Sequence, residues 1–177
     1  MVVECSSIVS IRGMITLQAN PTFIQLLRSP TLLLAFGFGS GLSPRAPGTA
    51  GTLAAIPIWY ALSGLSLGHY VIAVYLAAVF GTLICGRAAE QVGVHDHGGI
   101  VWDEFVGFWI AMVAVPPSWL ALVLGFTLFR LLDIVKPWPI SWLDKNIDGG
   151  LGIMLDDIAA GLITALLLAL LRVIGML

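Results

Sequence analysis

The chain has 177 residues, 59% of them apolar or aromatic and only 10% charged, with a formal net charge of −2. A soluble domain averages about 25% charged residues and about 45–50% apolar ones with glycine included; here the same count reaches about 70%, more than so small a globule can hide from water. Disorder is excluded, a nucleic-acid partner is argued against, and two cysteines in no motif, Cys5 and Cys85, speak against a disulfide framework or a thiolate zinc site.

Residues 1–20 read as an N-terminal extension and 21–177 as a single membrane-embedded domain. Gln18, Asn20 and Pro21 interrupt residues 14–27, so no signal-peptide core is expected there. Asn20-Pro21 reads as a helix cap followed by proline at the first helical position. Phe23, Ile24, Leu26 and Leu27 are then expected on a membrane surface, with Arg28 towards the headgroups. Residues 31–38 are apolar but too short to span, and read as a re-entrant or interfacial piece. Uncharged blocks follow at 51–67, 70–86, 105–129 and 158–171, the third divided by Pro116-Pro117. Several sit at the short end of the 17–25 residues a span needs, so polar flanks or tilt must complete them. The predicted fold class is all-α: a polytopic membrane bundle of about five helices plus the short N-terminal segment.

Charge orients this bundle. Arg12, Arg28, Arg45, Arg87, Arg130, Lys136 and Lys145 fall on one side, whereas the turns at Gly68-His69 and Pro116-Pro117 carry no Lys or Arg. The positive-inside rule makes the basic side cytoplasmic. Eight of the ten acidic residues, Asp96, Asp103, Glu104, Asp133, Asp144, Asp148, Asp156 and Asp157, share that side. A solvated loop face would account for them; so would a hard cation such as Mg²⁺, which takes oxygen ligands and keeps waters for substrate phosphates.

Four stretches carry sharper signals. In GFGSGLSPRAPGTAGT (residues 37–52), Gly48, Thr49, Gly51 and Thr52 stand where a long helix begins, and Arg45 adds a planar cation. Such a helix start suits an anion, although it also suits a membrane-entry turn with close packing. In HDHGGIVWDEFVG (95–107), Asp103 and Glu104 enter an apolar helix, a costly arrangement without a role; Gly107 lets another helix approach. His95 and His97 could bind zinc or simply be solvated. In RLLDIVKP (130–137), Arg130, Asp133 and Lys136 share a helical face, as an ion-pair ladder or as metal ligand and phosphate neutralisers, and Pro137 ends the helix. In GGLGIMLDDIAAG (149–161), a glycine segment brings Asp156 and Asp157 to the start of the last helix. Asp156 alone could be a cap; Gly161 and Ala165 allow tight packing.

These four stretches, in this order, resemble the phosphatidylglycerophosphatase A family, over about residues 20–175. The resemblance implies a Mg²⁺-dependent phosphatase of the bacterial cell inner membrane, multi-pass, with its active site on the cytoplasmic face. It would hydrolyse the terminal phosphomonoester of phosphatidylglycerophosphate to phosphatidylglycerol and inorganic phosphate. Many members carry Lys-Asp-Pro where this chain has His95-Asp96-His97, so Asp96 matches and the histidines do not.

Residue chemistry supplies the roles. A cysteine phosphatase needs Arg six residues after its Cys, but Gln91 follows Cys85 and Ile11 follows Cys5; an Asp-x-Asp phospho-aspartate loop is missing. Metal-assisted hydrolysis fits the polar residues instead. Asp103, Glu104, Asp133 and Asp157 are expected to hold Mg²⁺, with Asp156 as a further ligand or as base for the attacking water. Arg45, Gly48, Thr49, Gly51, Thr52, Arg130 and Lys136 are expected to grip the phosphate. The competing reading is a small cation- or proton-coupled transporter with carboxylates along its path. A non-catalytic assembly subunit would account for the small-residue spacing but not the acidic pairs, and a homo-oligomer stays open.

Overall fold

The computed structural model describes residues 10–11, 14–15, 20–94, 97–113 and 115–177; His95, Asp96 and Arg12 lie outside them. Apart from a short antiparallel ladder, Ser10–Ile11 against Met14–Ile15, the described residues are helical or connecting.

Helix α1, Phe23–Arg28, starts two residues later than expected. Thr22 caps it, accepting from the Gln25 N–H while the Gln25 side chain returns to the Thr22 backbone, so a capping box outcompetes Asn20-Pro21. Phe23, Ile24 and Leu27 are exposed, but Leu26 is buried in the core rather than on a surface. Helix α2, Pro30–Ala35, leads into a 3-10 turn at Gly37–Leu42. Helix α3, Pro47–Leu62, places proline at its start, where the missing N–H costs nothing. Helix α4, Leu67–Val92, ends on a left-handed Gly93. The connection before it occupies residues 63–66, so Gly68-His69 is the helix's first turn rather than a loop.

Pro116-Pro117 separates α5, Trp102–Ala111, from α6, Trp119–Val135. Helix α6 stops at Lys136, which is left-handed with φ of 45°. Pro137 disfavours the helical conformation there, and a non-glycine residue so placed costs about 1–2 kcal/mol. The short α7, Ile140–Asn146, has too little periodicity to be read from the sequence. Helix α8, Gly149–Val173, absorbs the glycine segment. Asp156 and Asp157 therefore lie about two turns inside it, and neither caps it; Asp148 occupies the cap position.

Helix α5 is the centre of the assembly, packing on α3, α4, α6 and α8. Phe105, Val106 and Phe108 are fully buried, and Trp102, Phe105 and Trp109 contact one another ring to ring. Trp109 Nε1 donates to the Ala55 carbonyl of α3 at 3.1 Å, Trp102 Nε1 to the Ala77 carbonyl of α4 at 3.1 Å, and the Tyr70 hydroxyl to the Trp109 carbonyl at 2.6 Å. Between helices that sit in lipid, a bond of this kind would contribute roughly 0.6–2 kcal/mol. Of the tryptophans, Trp59, Trp102 and Trp109 are thus core residues, while Trp119, Trp138 and Trp142 are exposed.

Among the described residues, two helices, α4 and α8, are long and apolar enough to cross a membrane. Their outer faces present Val71, Tyr75, Val79 and Leu83 on one and Leu162, Leu166, Leu170 and Val173 on the other.

Candidate active site

Helix α8 reaches the centre of the fold because two glycines face each other. A Cβ on Gly161 would stand 2.3 Å from the Gly107 carbonyl oxygen, and one on Gly107 would stand 2.7 Å from the Asp157 carbonyl oxygen. The close crossing brings Asp157 beside the first turn of α5, where Asp103 and Glu104 reside. The last turns of α6 deliver Arg130 and Asp133 to the same place.

Carboxylate oxygens of Asp103, Glu104 and Asp157 lie within 4.8 Å of one another, and so do those of Asp133, Asp156 and Asp157. Asp157 is 2% exposed and Asp156 8%. Together they line a pocket of about 190 Å³ with Lys136, Asp144, Gly98 and Gly152.

Two cations partly balance this charge. Arg130 Nη1 is 2.6 Å from Asp133 Oδ2 and 3.6 Å from Glu104 Oε1, and donates to Thr52 Oγ1 at 3.5 Å. Lys136 Nζ donates to Asp144 Oδ1 at 2.5 Å and to Asp156 Oδ2 at 2.6 Å. Burial pulls the Lys136 amine's pKa down, but its bonds to Asp144 and Asp156 outweigh that and hold it above its usual value. It is a fixed cation at any physiological pH. The left-handed turn at Lys136 swings its side chain to α7 and α8, off the Arg130–Asp133 pair.

The pairing is incomplete. Asp103 Oδ1, Glu104 Oε2, Asp156 Oδ1 and Asp157 Oδ1 are buried without a hydrogen-bond partner among the described residues. An uncompensated buried carboxylate costs several kcal/mol, so the arrangement suits a ligand that accepts oxygen donors. The donor set is entirely carboxylate, which selects a hard cation such as Mg²⁺. Within each group the oxygens are near enough to one another that three side chains could hold one ion.

The other predicted residues divide. Gly48, in the first turn of α3, abuts the site: its Cβ would stand 2.1 Å from Glu104 Oε1. Thr52 is buried, donates to the Gly48 carbonyl at 2.9 Å and receives Arg130. Gly51 instead packs on Val101 of the 101–102 helix entry. Thr49 does not line the pocket, nor does Arg45, which is exposed on the turn bordering a second cleft around Ser43, Pro47 and His97. His97 accepts from the Gly99 N–H at 3.0 Å and packs on Phe36. Asp144 is a residue whose role the sequence did not reveal: only the turn into α7 brings it to Lys136.

The family model described as Phosphatidylglycerophosphatase A matches residues 33–172. A Phosphatidylglycerophosphatase A from Escherichia coli is 53% identical over 140 residues, 78% of this chain and 81% of the relative. Its Haemophilus influenzae namesake is 44% identical over 146 residues, 81% and 89% of the two chains. A protein from Bacteroides thetaiotaomicron named Putative phosphatidylinositol-3-phosphatase is 41% identical over 152 residues, covering 81% and 95%. No solved structure matches the chain.

Proposed function

The chain belongs to the phosphatidylglycerophosphatase A family and is a phosphatase, and from that premise we propose that it is a Mg²⁺-dependent, multi-pass membrane enzyme that hydrolyses the terminal phosphomonoester of phosphatidylglycerophosphate. The observation that carries the proposal is the pocket in which buried, partnerless carboxylate oxygens face a fixed lysine. Asp103, Glu104 and Asp157 would hold Mg²⁺, with Asp133 and Asp156 next to them. When bound, the ion polarises phosphoryl oxygens, lowers the pKa of water and offsets developing charge.

The chain's own residues do the rest. Lys136 meets the phosphate as a point charge, and Arg130 fixes Glu104 and Asp133. Asp156 keeps Oδ2 on Lys136 and presents Oδ1, without a partner, to the pocket; the attacking water gives its proton to a pocket carboxylate. Attack on phosphorus breaks its bond to the glycerol oxygen, which takes up the proton the water gave and leaves as the alcohol of phosphatidylglycerol, while the phosphoryl group departs with the water's oxygen as inorganic phosphate. Positioning and electrostatics account for most of such a transfer.

A bilayer setting is supported by the apolar outer faces of α4 and α8. Exposed Trp119 and Trp138 flank the two ends of α6, about 25 Å apart at 1.5 Å per residue, as aromatic residues at two interfaces would be. The starts of α3, α5 and α8 and the end of α6 meet at the pocket, on the side rich in Arg and Lys. On the positive-inside rule that side is cytoplasmic, where a lipid's headgroup meets the carboxylates while its acyl chains stay in the membrane. The transporter alternative gains no support, since the relatives bear phosphatase names and the carboxylates gather at one end instead of along a path.

The test is phosphate release by the purified protein from phosphatidylglycerophosphate, phosphatidate and phosphatidylinositol 3-phosphate, each with Mg²⁺ or with chelator. Mg²⁺-dependent release with preference for the first is expected. Release unaffected by chelation would refute the metal assignment, and preference for another lipid would refute the substrate.

A further inference from the structure

Asp157 is common to both carboxylate groups. We infer that the pocket takes two divalent cations side by side, one held by Asp103 and Glu104, the other by Asp133 and Asp156, with Asp157 bridging them. The inference rests on the phosphatase reading of the same pocket and deepens it.

Three observations converge on two ions. The first is ligand supply. Mg²⁺ at a phosphoryl site is usually held by one or two carboxylates, with waters and substrate oxygens completing its shell. Five carboxylates from three helices exceed the need of one ion, and they divide into two groups that meet only at Asp157.

The second is the distribution of partnerless oxygens. Partnerless buried oxygens occur on Asp103 and Glu104 of one group, on Asp156 of the other, and on Asp157, which is common to both. Asp156 and Asp157 are each more than nine-tenths buried. The basic residues do not use up the second group: Arg130 engages Asp133 through Oδ2, and Lys136 engages Asp156 through Oδ2. Each pairing fixes one oxygen of a carboxylate, and on Asp156 the other oxygen is left without a partner, so Arg130 and Lys136 orient the second group as well as neutralising it.

The third is charge. Six carboxylates line the pocket, including Asp144, against the two cations Lys136 and Arg130, a net charge of −4. One divalent ion leaves −2, which repels a phosphomonoester dianion in a low-dielectric pocket. Two bring the pocket to neutrality and let the dianion enter. Paired ions about 3.5–4 Å apart also clamp both the attacking and the leaving oxygen of an in-line displacement.

Mn²⁺ titration of the full chain in detergent micelles tests this without recourse to turnover. Bound Mn²⁺ is counted by equilibrium dialysis, and its low-temperature electron paramagnetic resonance spectrum is recorded. Two Mn²⁺ per chain with a spin-coupled spectrum are expected. Asp133→Asn and, separately, Glu104→Gln should each halve the count and leave an uncoupled six-line signal. One uncoupled Mn²⁺ per wild-type chain at saturation overturns the two-ion inference and leaves a single-ion site standing. No bound Mn²⁺ overturns both. Because the wild-type count decides, a variant that fails to fold does not blunt the test.

Discussion

Replacing Gly48 with alanine separates site geometry from stability. The added Cβ would stand 2.1 Å from Glu104 Oε1 and 2.9 and 3.0 Å from the two terminal nitrogens of Arg130. A carbon and an oxygen rest about 3.3–3.6 Å apart, so the Glu104 carboxylate must retreat by roughly 1.2 Å on that scale. Both neighbours are the far ends of flexible side chains, so the backbone of α3 and α5 need not move. Alanine is meanwhile favoured over glycine in a helix by up to about 1 kcal/mol. The melting temperature should hold or rise slightly. A displacement of about 1 Å at a reacting centre costs on the order of 10²-fold, or about 2.7 kcal/mol of barrier. We expect kcat/KM for phosphate release from lipid in mixed micelles to fall by about that factor, and the Mg²⁺ concentration for half-maximal rate to rise. Adding Glu104→Asp, which shortens the crowded side chain, should cost less in the Gly48→Ala background than in wild type. A folded Gly48→Ala protein with unchanged kcat/KM and unchanged Mg²⁺ response would refute the placement of Glu104 at the reacting centre.

Asp157→Asn removes the carboxylate common to both groups and should lower phosphate release by about 10²–10³-fold or more, on the scale of a lost electrostatic stabiliser, while membrane insertion measured by fractionation stays intact. Lys136→Met should lower kcat/KM by about 10²-fold or more and leave Asp144 and Asp156 without their cation; Lys136→Arg, which keeps the charge, should recover part of the loss, and no recovery would count against a charge-based role. Arg45→Ala should weaken substrate handling less than Lys136→Met, since Arg45 lies off the pocket lining; an effect equal to that of Lys136→Met would place Arg45 at the phosphate. Gly161→Ala pushes a Cβ to 2.3 Å from the Gly107 carbonyl, a backbone atom that cannot step aside, so thermal unfolding in micelles should show a loss of about 1–3 kcal/mol.

The residue patterns in the chain already located most of what matters. Composition and the uncharged blocks point to an all-helical chain with outward apolar faces, because a long apolar run in lipid must satisfy its own backbone, and a helix does so within itself. Pro116-Pro117 and Lys136-Pro137 mark helix ends through local sterics that need no neighbours. The acidic pairs Asp103-Glu104 and Asp156-Asp157 stand out because ionised groups entering apolar helices are costly wherever the helices go. Those signals are local, so the linear chain carries them. The sequence could not say which carboxylate would be shared, that Lys136 would turn away from Arg130 towards Asp144, or that Gly48 would abut Glu104 while Arg45 stood apart. Nor could it show that Leu26, Trp59, Trp102 and Trp109 belong to the core. Each of these depends on which helix lies against which, and that is decided by close approaches such as Gly107 on Gly161, where the fit between two remote surfaces sets the distance between charges.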